Sequence, residues 1–95
     1  MKRLRYTRQA FSDIDSLYTF IAQNNPSAAQ RVLDRVESGI EHLSQHPELG
    51  RIGRISGTRE RIIPDTHYIV AYEIGTEYIA ILAIIHSSQK WPDHL

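Results

Sequence analysis

Four arginines fall within eleven residues of this 95-residue chain, Arg51, Arg54, Arg59 and Arg61, with Glu60 the one acid among them. Guanidinium groups at that density can contact phosphates or pair with carboxylates, since each presents a planar fork of donors. His86 is the other group suited to chemistry, because an imidazole changes charge close to neutral pH. His42 and His46 stand four apart on a helical stretch, a spacing that can bind a metal, but no third ligand accompanies them and a solvated polar face is the better reading. Asp13 and Asp15, two apart on a helix, do not face each other. Ser87 and Ser88 follow His86 with neither a strained elbow nor a partner acid, so they do not read as nucleophiles. With no cysteine in the chain, a thiol nucleophile, a disulfide framework and a zinc–thiolate site are all excluded. No metal or cofactor is expected.

The elements that position these groups follow from apolar periodicity. Leu4 and Tyr6 alternate with Arg3 and Arg5 as in a short strand over residues 2–6. Thr7 then caps a helix whose apolar stripe is Ala10, Phe11, Ile14, Leu17, Tyr18 and Ile21, with Asp13 and Asp15 on its other face. Asn25-Pro26 starts a second helix, as asparagine caps and proline at the first position gives up only an amide without a partner. Ala29, Val32, Leu33, Val36, Ile40 and Leu43 form its stripe, and Pro47 ends it. Gly39 inside it costs roughly 1 kcal/mol relative to alanine and suggests close packing. So short a connection makes the two helices an antiparallel hairpin.

Residues 47–57 hold three glycines and a proline and read as a loop. Strands follow at Thr58–Ile63, His67–Ile74 and Glu77–His86, the last two joined by a Gly75-Thr76 hairpin turn. Counting outward from that turn pairs Ile74 with Glu77, Tyr72 with Ile79, Val70 with Ile81 and Tyr68 with Ala83. One face of the sheet then carries Tyr68, Val70, Tyr72, Ile79, Ile81, Ala83 and Ile85 and should receive the helices. The other carries His67, Ile69, Ala71, Glu73, Tyr78, Ala80, Leu82, Ile84 and His86 and is the candidate open face. Ser87–Leu95 is a polar tail in which Trp91 either covers an end of the core or anchors a partner. The expectation is one α+β domain over residues 1–95, of order β-α-α-β-β-β, with a helix hairpin on one face of an antiparallel sheet.

Charge narrows the function. The chain carries 11 basic and 11 acidic residues for a net charge of zero, yet the signs are segregated. Residues 1–8 hold four positives and no acid, and residues 51–61 carry four positives against one acid. A neutral total argues against tight non-specific binding to nucleic acid, which needs several phosphate contacts. The positive N-terminus is followed by Thr7, Arg8, Gln9, Ser12 and Asp13 where a signal peptide needs an apolar stretch, and no apolar run approaches the roughly 20 residues that span a bilayer. A cytoplasmic protein with no membrane partner is expected.

Several motifs, in order, carry a resemblance: Asn25-Pro26 with Ala28-Ala29, then His46-Pro47-Glu48-Leu49-Gly50-Arg51, then Gly57-Thr58-Arg59-Glu60. They continue with Tyr68-Ile69-Val70-Ala71-Tyr72, Ile81-Leu82-Ala83-Ile84-Ile85-His86 and Gln89-Lys90-Trp91-Pro92. Across nearly the whole chain this resembles the RelE/ParE toxins of type II toxin–antitoxin systems, whose fold has the element order expected above. The resemblance implies a toxin neutralised by a cognate antitoxin encoded beside it, with operator DNA reached only through that antitoxin. RelE-type members cleave messenger RNA on the ribosome, whereas ParE-type members block DNA gyrase and cut nothing.

Under the RelE-type reading, a metal-independent endoribonuclease, Arg59, Arg61 and His86 would be catalytic and Arg51 a phosphate contact, because in-line cleavage needs a base, an acid and cations on the scissile phosphate. RelE-type toxins are markedly basic and tend to carry a further tyrosine or basic residue near the C-terminus. This neutral chain offers Lys90 and Trp91 there. The Gly57-Thr58-Arg59-Glu60 run and the Pro47–Arg51 segment look more like ParE-type sequences, which favours gyrase inhibition with Arg51, Arg59, Arg61 and Trp91 as target contacts. A third reading is an inactive toxin retained as an antitoxin or repressor partner.

Overall fold

The computed structural model describes all 95 residues. Strand β1 (Arg3–Tyr6) leads into helices α1 (Arg8–Ala22) and α2 (Pro26–Leu43). A single 3-10 turn at Pro47–Leu49 follows, then β2 (Arg51–Ile52), β3 (Arg59–Ile62), β4 (Tyr68–Ile74) and β5 (Tyr78–His86). The caps are those expected. Thr7 Oγ1 accepts from the Ala10 amide at 3.1 Å, and Asn25 Oδ1 accepts from the Ala28 amide at 3.1 Å ahead of Pro26. Neither helix is long and apolar enough to cross a membrane.

The β-α-α-β-β-β order holds, with one addition and one change of direction. The added element is the two-residue β2, inside a segment expected to be loop; it pairs with β3 through Arg51 opposite Glu60. The sheet order is β1-β5-β4-β3-β2. Its edge strand β1 runs parallel to β5 while every other pairing is antiparallel. The parallel edge arises because the chain reaches β5 only after the helices and three intervening strands, and a long crossover permits that direction.

The β4–β5 register differs from simple counting in two ways. Ile74 pairs with Ile79 rather than Glu77, because Gly75 donates to the Tyr78 carbonyl at 2.8 Å and makes a wider turn. Lys2 Nζ satisfies the Gly75 and Thr76 carbonyls of that turn at 2.9 and 2.7 Å. A shift of two residues keeps side-chain parity, so Val70, Tyr72, Ile79 and Ile81 still face the helices, as expected.

The second difference is a bulge. Tyr72 pairs with Ile81 and Ala71 with Ala83, leaving Leu82 unpaired. One extra residue inverts every side chain beyond it. Ile84 and His86 therefore move to the helix face, opposite Val70 and Tyr68, while Ala83 and Ile85 turn to the other face. The polar groups released by the bulge are claimed by α1: Thr7 Oγ1 donates to the Leu82 carbonyl at 3.0 Å, and the Ile84 amide donates to Asp13 Oδ2 at 2.9 Å. Asp13, expected on a solvent face, is thus an anchor between α1 and the sheet.

Helices and sheet enclose one core of Ala10, Leu17, Val36, Ile40 and Leu43 against Ile63, Val70, Tyr72, Ile79, Ile81 and Ile84. The face expected to lie open is also largely closed, since Ile69, Ala71, Ala83 and Ile85 are all buried. Tail residues Gln89–Leu95 share a hollow with Leu82, Ala83 and Ile85, which places the tail over that face.

At Gly39 helix α2 lies close against Ile63, just past β3: a Cβ there would meet Ile63 Cδ1 at 2.5 Å. We expect Gly39→Val to destabilise the fold by about 1–3 kcal/mol through overpacking, and Ile63→Ala, which removes a fully buried side chain, to cost less in the Gly39→Val chain than in the parent. Denaturant unfolding of both single variants and the double variant measures it; costs that simply add would show that the two positions do not press on each other.

Candidate functional site: an arginine-rich loop and the hollows beside it

The loop from Pro47 to Thr58 is held at three points. First, the buried Tyr72 hydroxyl donates to the Pro47 carbonyl at 2.6 Å and accepts from the Gly50 amide at 2.9 Å. Burial pushes the pKa of this phenol above its usual value, so it remains a protonated donor. Second, Thr58 returns its amide to the Ile55 carbonyl at 3.1 Å, closing a turn with Gly57 at φ 82°, a conformation that favours glycine.

The third point is Glu60. Its side chain is 2% exposed, on the sheet face away from the helices, opposite Ala71. Arg51 Nε and Nη2 donate to Oε1 at 3.0 and 2.8 Å. The Arg54 amide and Nε donate to Oε2 at 2.8 and 3.0 Å, and Arg54 Nη2 reaches Oε1 at 3.2 Å. Burial by itself would raise this carboxyl's pKa, but the hydrogen bonds from Arg54 and Arg51 outweigh it and hold the group at about 2. Arg54 is in turn stacked on Trp91, its guanidinium carbon 3.7 Å from the ring centroid. The four groups make a ladder from β2 to the tail: Arg51, Glu60, Arg54, Trp91.

Arg59 and Arg61 point to the opposite face, in register with Tyr72 and Val70. Arg59 Nη1 donates to the Gly50 carbonyl at 2.8 Å and lies 3.5 Å from that of Glu48, bracing the loop from its helix side. Arg61 makes no ion pair, and its Nε is buried without an acceptor. It lines a hollow against α2 together with Arg31, Arg35 and His42.

His86 is elsewhere. Strand β4 lies between its strand and β3, and two strand spacings are about 10 Å. Its ring meets Tyr68 edge-on, and Nδ1 accepts from the Ser88 amide at 3.1 Å with Ser88 Oγ 2.7 Å away. An accepting Nδ1 leaves the proton of the neutral ring on Nε2. His86 shares its hollow with Asp13, Ser16, Phe20 and Tyr68, and none of the residues lining Arg61's hollow is among those around His86. The residues singled out in the sequence therefore separate into three places: Arg51 and Trp91 in the Glu60 ladder, Arg59 and Arg61 on the helix side, His86 across β4. No three His, Asp or Glu side chains gather as they would around a metal ion.

Two features of this candidate site escaped the sequence. The role of Glu60 was signalled by its being the single acid among four arginines. Arg31 and Arg35 were hidden, because nothing in the linear order indicates that one stripe of α2 faces β3.

A two-helix hairpin on an open five-stranded sheet, with an arginine-rich loop over one end, defines a small α+β domain of the RelE/ParE kind. Residues 4–91 match the family described as ParE toxin of type II toxin–antitoxin system, parDE, and the chain belongs to that family. It is similar to Y4kP of Sinorhizobium fredii, with 37% identity over 94 residues that cover 99% of this chain and 97% of that one. It is also similar to toxins RelE2 and ParE1 of Caulobacter vibrioides. These are 26% and 25% identical, over 94% and 100% of this chain and 99% of each relative. The fold matches a chain of the chromosomal ParDE system of P. aeruginosa with a TM-score of 0.81 and 22% identity, covering 90% of this chain and 96% of that one.

Glu60 yields a pH-dependent prediction. Its folded pKa lies below the ordinary value near 4.5, so its contribution is complete above that value and is lost as pH falls towards 2. Glu60→Gln should lower stability at pH 7 by about 3 kcal/mol, and the gap from the parent protein should shrink steadily below about pH 5. Urea unfolding at pH 7 and pH 3 reads the gap directly; an equal gap at both values would mean that the carboxylate charge contributes nothing.

Proposed function

We propose that this toxin acts by binding and inhibiting DNA gyrase, that it cleaves nothing itself, and that a cognate antitoxin neutralises it. The carrying observation is the dispersal of the groups that a metal-independent ribonuclease would need in one place. In-line cleavage requires a base for the 2′-hydroxyl, an acid for the leaving oxygen and cations on the phosphate, all within hydrogen-bonding reach of one nucleotide. Here His86 and Arg61 occupy separate hollows, while Arg51 is committed to Glu60 and Arg59 to the Gly50 carbonyl. A net charge of zero adds to this, since a ribosome-bound enzyme benefits from a positive field that this chain lacks.

The family description, ParE toxin, supports the same reading. An antitoxin partner is supported by that description and by the similar solved chains, which include the ParDE system of P. aeruginosa and the E. coli DinJ–YafQ toxin–antitoxin complex. A disordered antitoxin segment that folds on docking would cover apolar surface, and Phe11, Phe20 and Ile62 are exposed on this chain. The cytoplasm, where gyrase and a cognate antitoxin are found, is the compartment this reading requires.

A purified supercoiling assay run beside ribosome-dependent cleavage of a defined message tests the proposal. We expect loss of supercoiling with the message intact, and we expect His86→Ala to inhibit within about 3-fold of the parent, because no proton transfer is asked of it. A ribonuclease would lose about 100-fold or more on removal of its acid or base. Cleaved message, with cleavage abolished in His86→Ala, would overturn the reading.

A further inference from the structure

The hollow between α2 and the end of β3 has a volume of about 430 Å3, and apart from Gly39 and the Pro64 ring every side chain in its lining is polar or charged. One wall is a ridge of α2: Arg31, Arg35, Ser38 and His42 follow at spacings of four, three and four, which places them on a single face. At 1.5 Å per residue that ridge is about 16 Å long, the span of roughly five residues of extended chain. The other wall carries Arg61 and the turn containing Asp65.

The charges in this hollow are only partly answered from within the molecule. Arg35 and Asp65 approach to 3.9 Å with both side chains largely exposed, a loose pair. Asp34 accepts from Gln30 at 2.9 Å. Arg31 has no ion pair, and Arg61 has neither an ion pair nor an acceptor for its buried Nε. A donor of an ionised group withdrawn from water without an acceptor carries an uncompensated desolvation cost. An acceptor that enters the hollow and draws the guanidinium towards it relieves that cost.

We propose that this hollow binds an acidic peptide segment of a protein partner, with one carboxylate accepting from Arg61 and a second pairing with Arg31. Guanidinium–carboxylate pairing is the strongest recognition available to these groups. A peptide fits better than nucleic acid for two reasons. The neutral chain lacks the extended positive field that draws in a nucleic acid, and Asp34 and Asp65 repel closely spaced phosphates. The length and openness of the ridge favour a segment of chain over a small molecule, and Ser38 offers its hydroxyl to that segment's backbone. The inference does not depend on which target the toxin inhibits.

The test follows the arginine Nε–H resonances of the isotopically labelled full chain during titration with four probes. These are a short Asp/Glu-rich peptide, a Gly/Ser peptide of equal length, inorganic phosphate and a short thymidine oligonucleotide. We expect the acidic peptide to move the Arg61 resonance to saturation, the Gly/Ser peptide to leave it in place, and phosphate and oligonucleotide to bind more weakly. Arg61→Gln should weaken peptide binding about ten-fold or more, and Arg31→Ala several-fold. Because Arg31 is exposed on a helix, that variant keeps the fold, and Arg8→Ala on α1 serves as the unaffected control. An Arg61 resonance that the acidic peptide does not move, affinity unchanged in both hollow variants, or tighter binding of phosphate or oligonucleotide would each overturn the proposal.

Discussion

A single buried carboxylate organises the arginine-rich end of this molecule. Glu60 sits in a strand only four residues long, and its desolvation would be prohibitive without compensation. The compensation comes from the loop that precedes the strand, five donated hydrogen bonds from Arg51 and Arg54. The dependence runs both ways. The loop buries little apolar material of its own, Leu49 and Ile52 being exposed, and the carboxylate gives it a fixed path; Trp91 of the tail then packs on Arg54 and extends that order to the C-terminal segment. An electrostatic need at one residue thus sets the geometry of three separate stretches of chain.

The helix side of the sheet follows a different logic, in which shape dominates. Tyr72 fills the core with its ring and spends its hydroxyl on the loop, while Gly39 lets α2 settle against Ile63. The bulge at Leu82 links the two sides. By inverting the end of β5 it brings Ile84 into the core and presents His86 edge-on to Tyr68, on the face of Arg59 and Arg61 but one strand removed from theirs. Had β5 continued without the bulge, His86 would lie on the face that carries Glu60. The bulge, stabilised by Thr7 and Asp13 from α1, therefore decides which face His86 joins, while the intervening β4 keeps it apart from Arg59 and Arg61.

Those same features mark how far the sequence could be read. Apolar periodicity and two capping signals located both helices and the three main strands, because each is specified within its own stretch of residues. Direction and register are set between stretches, and there the reading faltered. Gly75-Thr76 looks like a two-residue turn until Lys2, from the far end of the chain, is seen to satisfy the carbonyls of a wider one. Nothing local announces the Leu82 bulge, since its partners lie on α1. At the site, the arginine cluster was visible as composition, but which members answer Glu60 and which stay free depends on strand parity and on a helix face across a gap.

The parallel edge has a consequence for how the molecule comes into being. Strand β1 is the first segment made and pairs with β5, the last strand made, through contacts such as those from Lys2 that span 73 and 74 residues. Contacts this distant in sequence must await loop closure and form late. On the ribosome the β2 side of the sheet can pair first, but the β1 edge stays open until β5 has emerged, and the first strand waits unpaired through all of that interval. The chain is thereby kept unfinished during synthesis, and its fold closes only when the strand at the far end of the sequence is free to meet the one at its start.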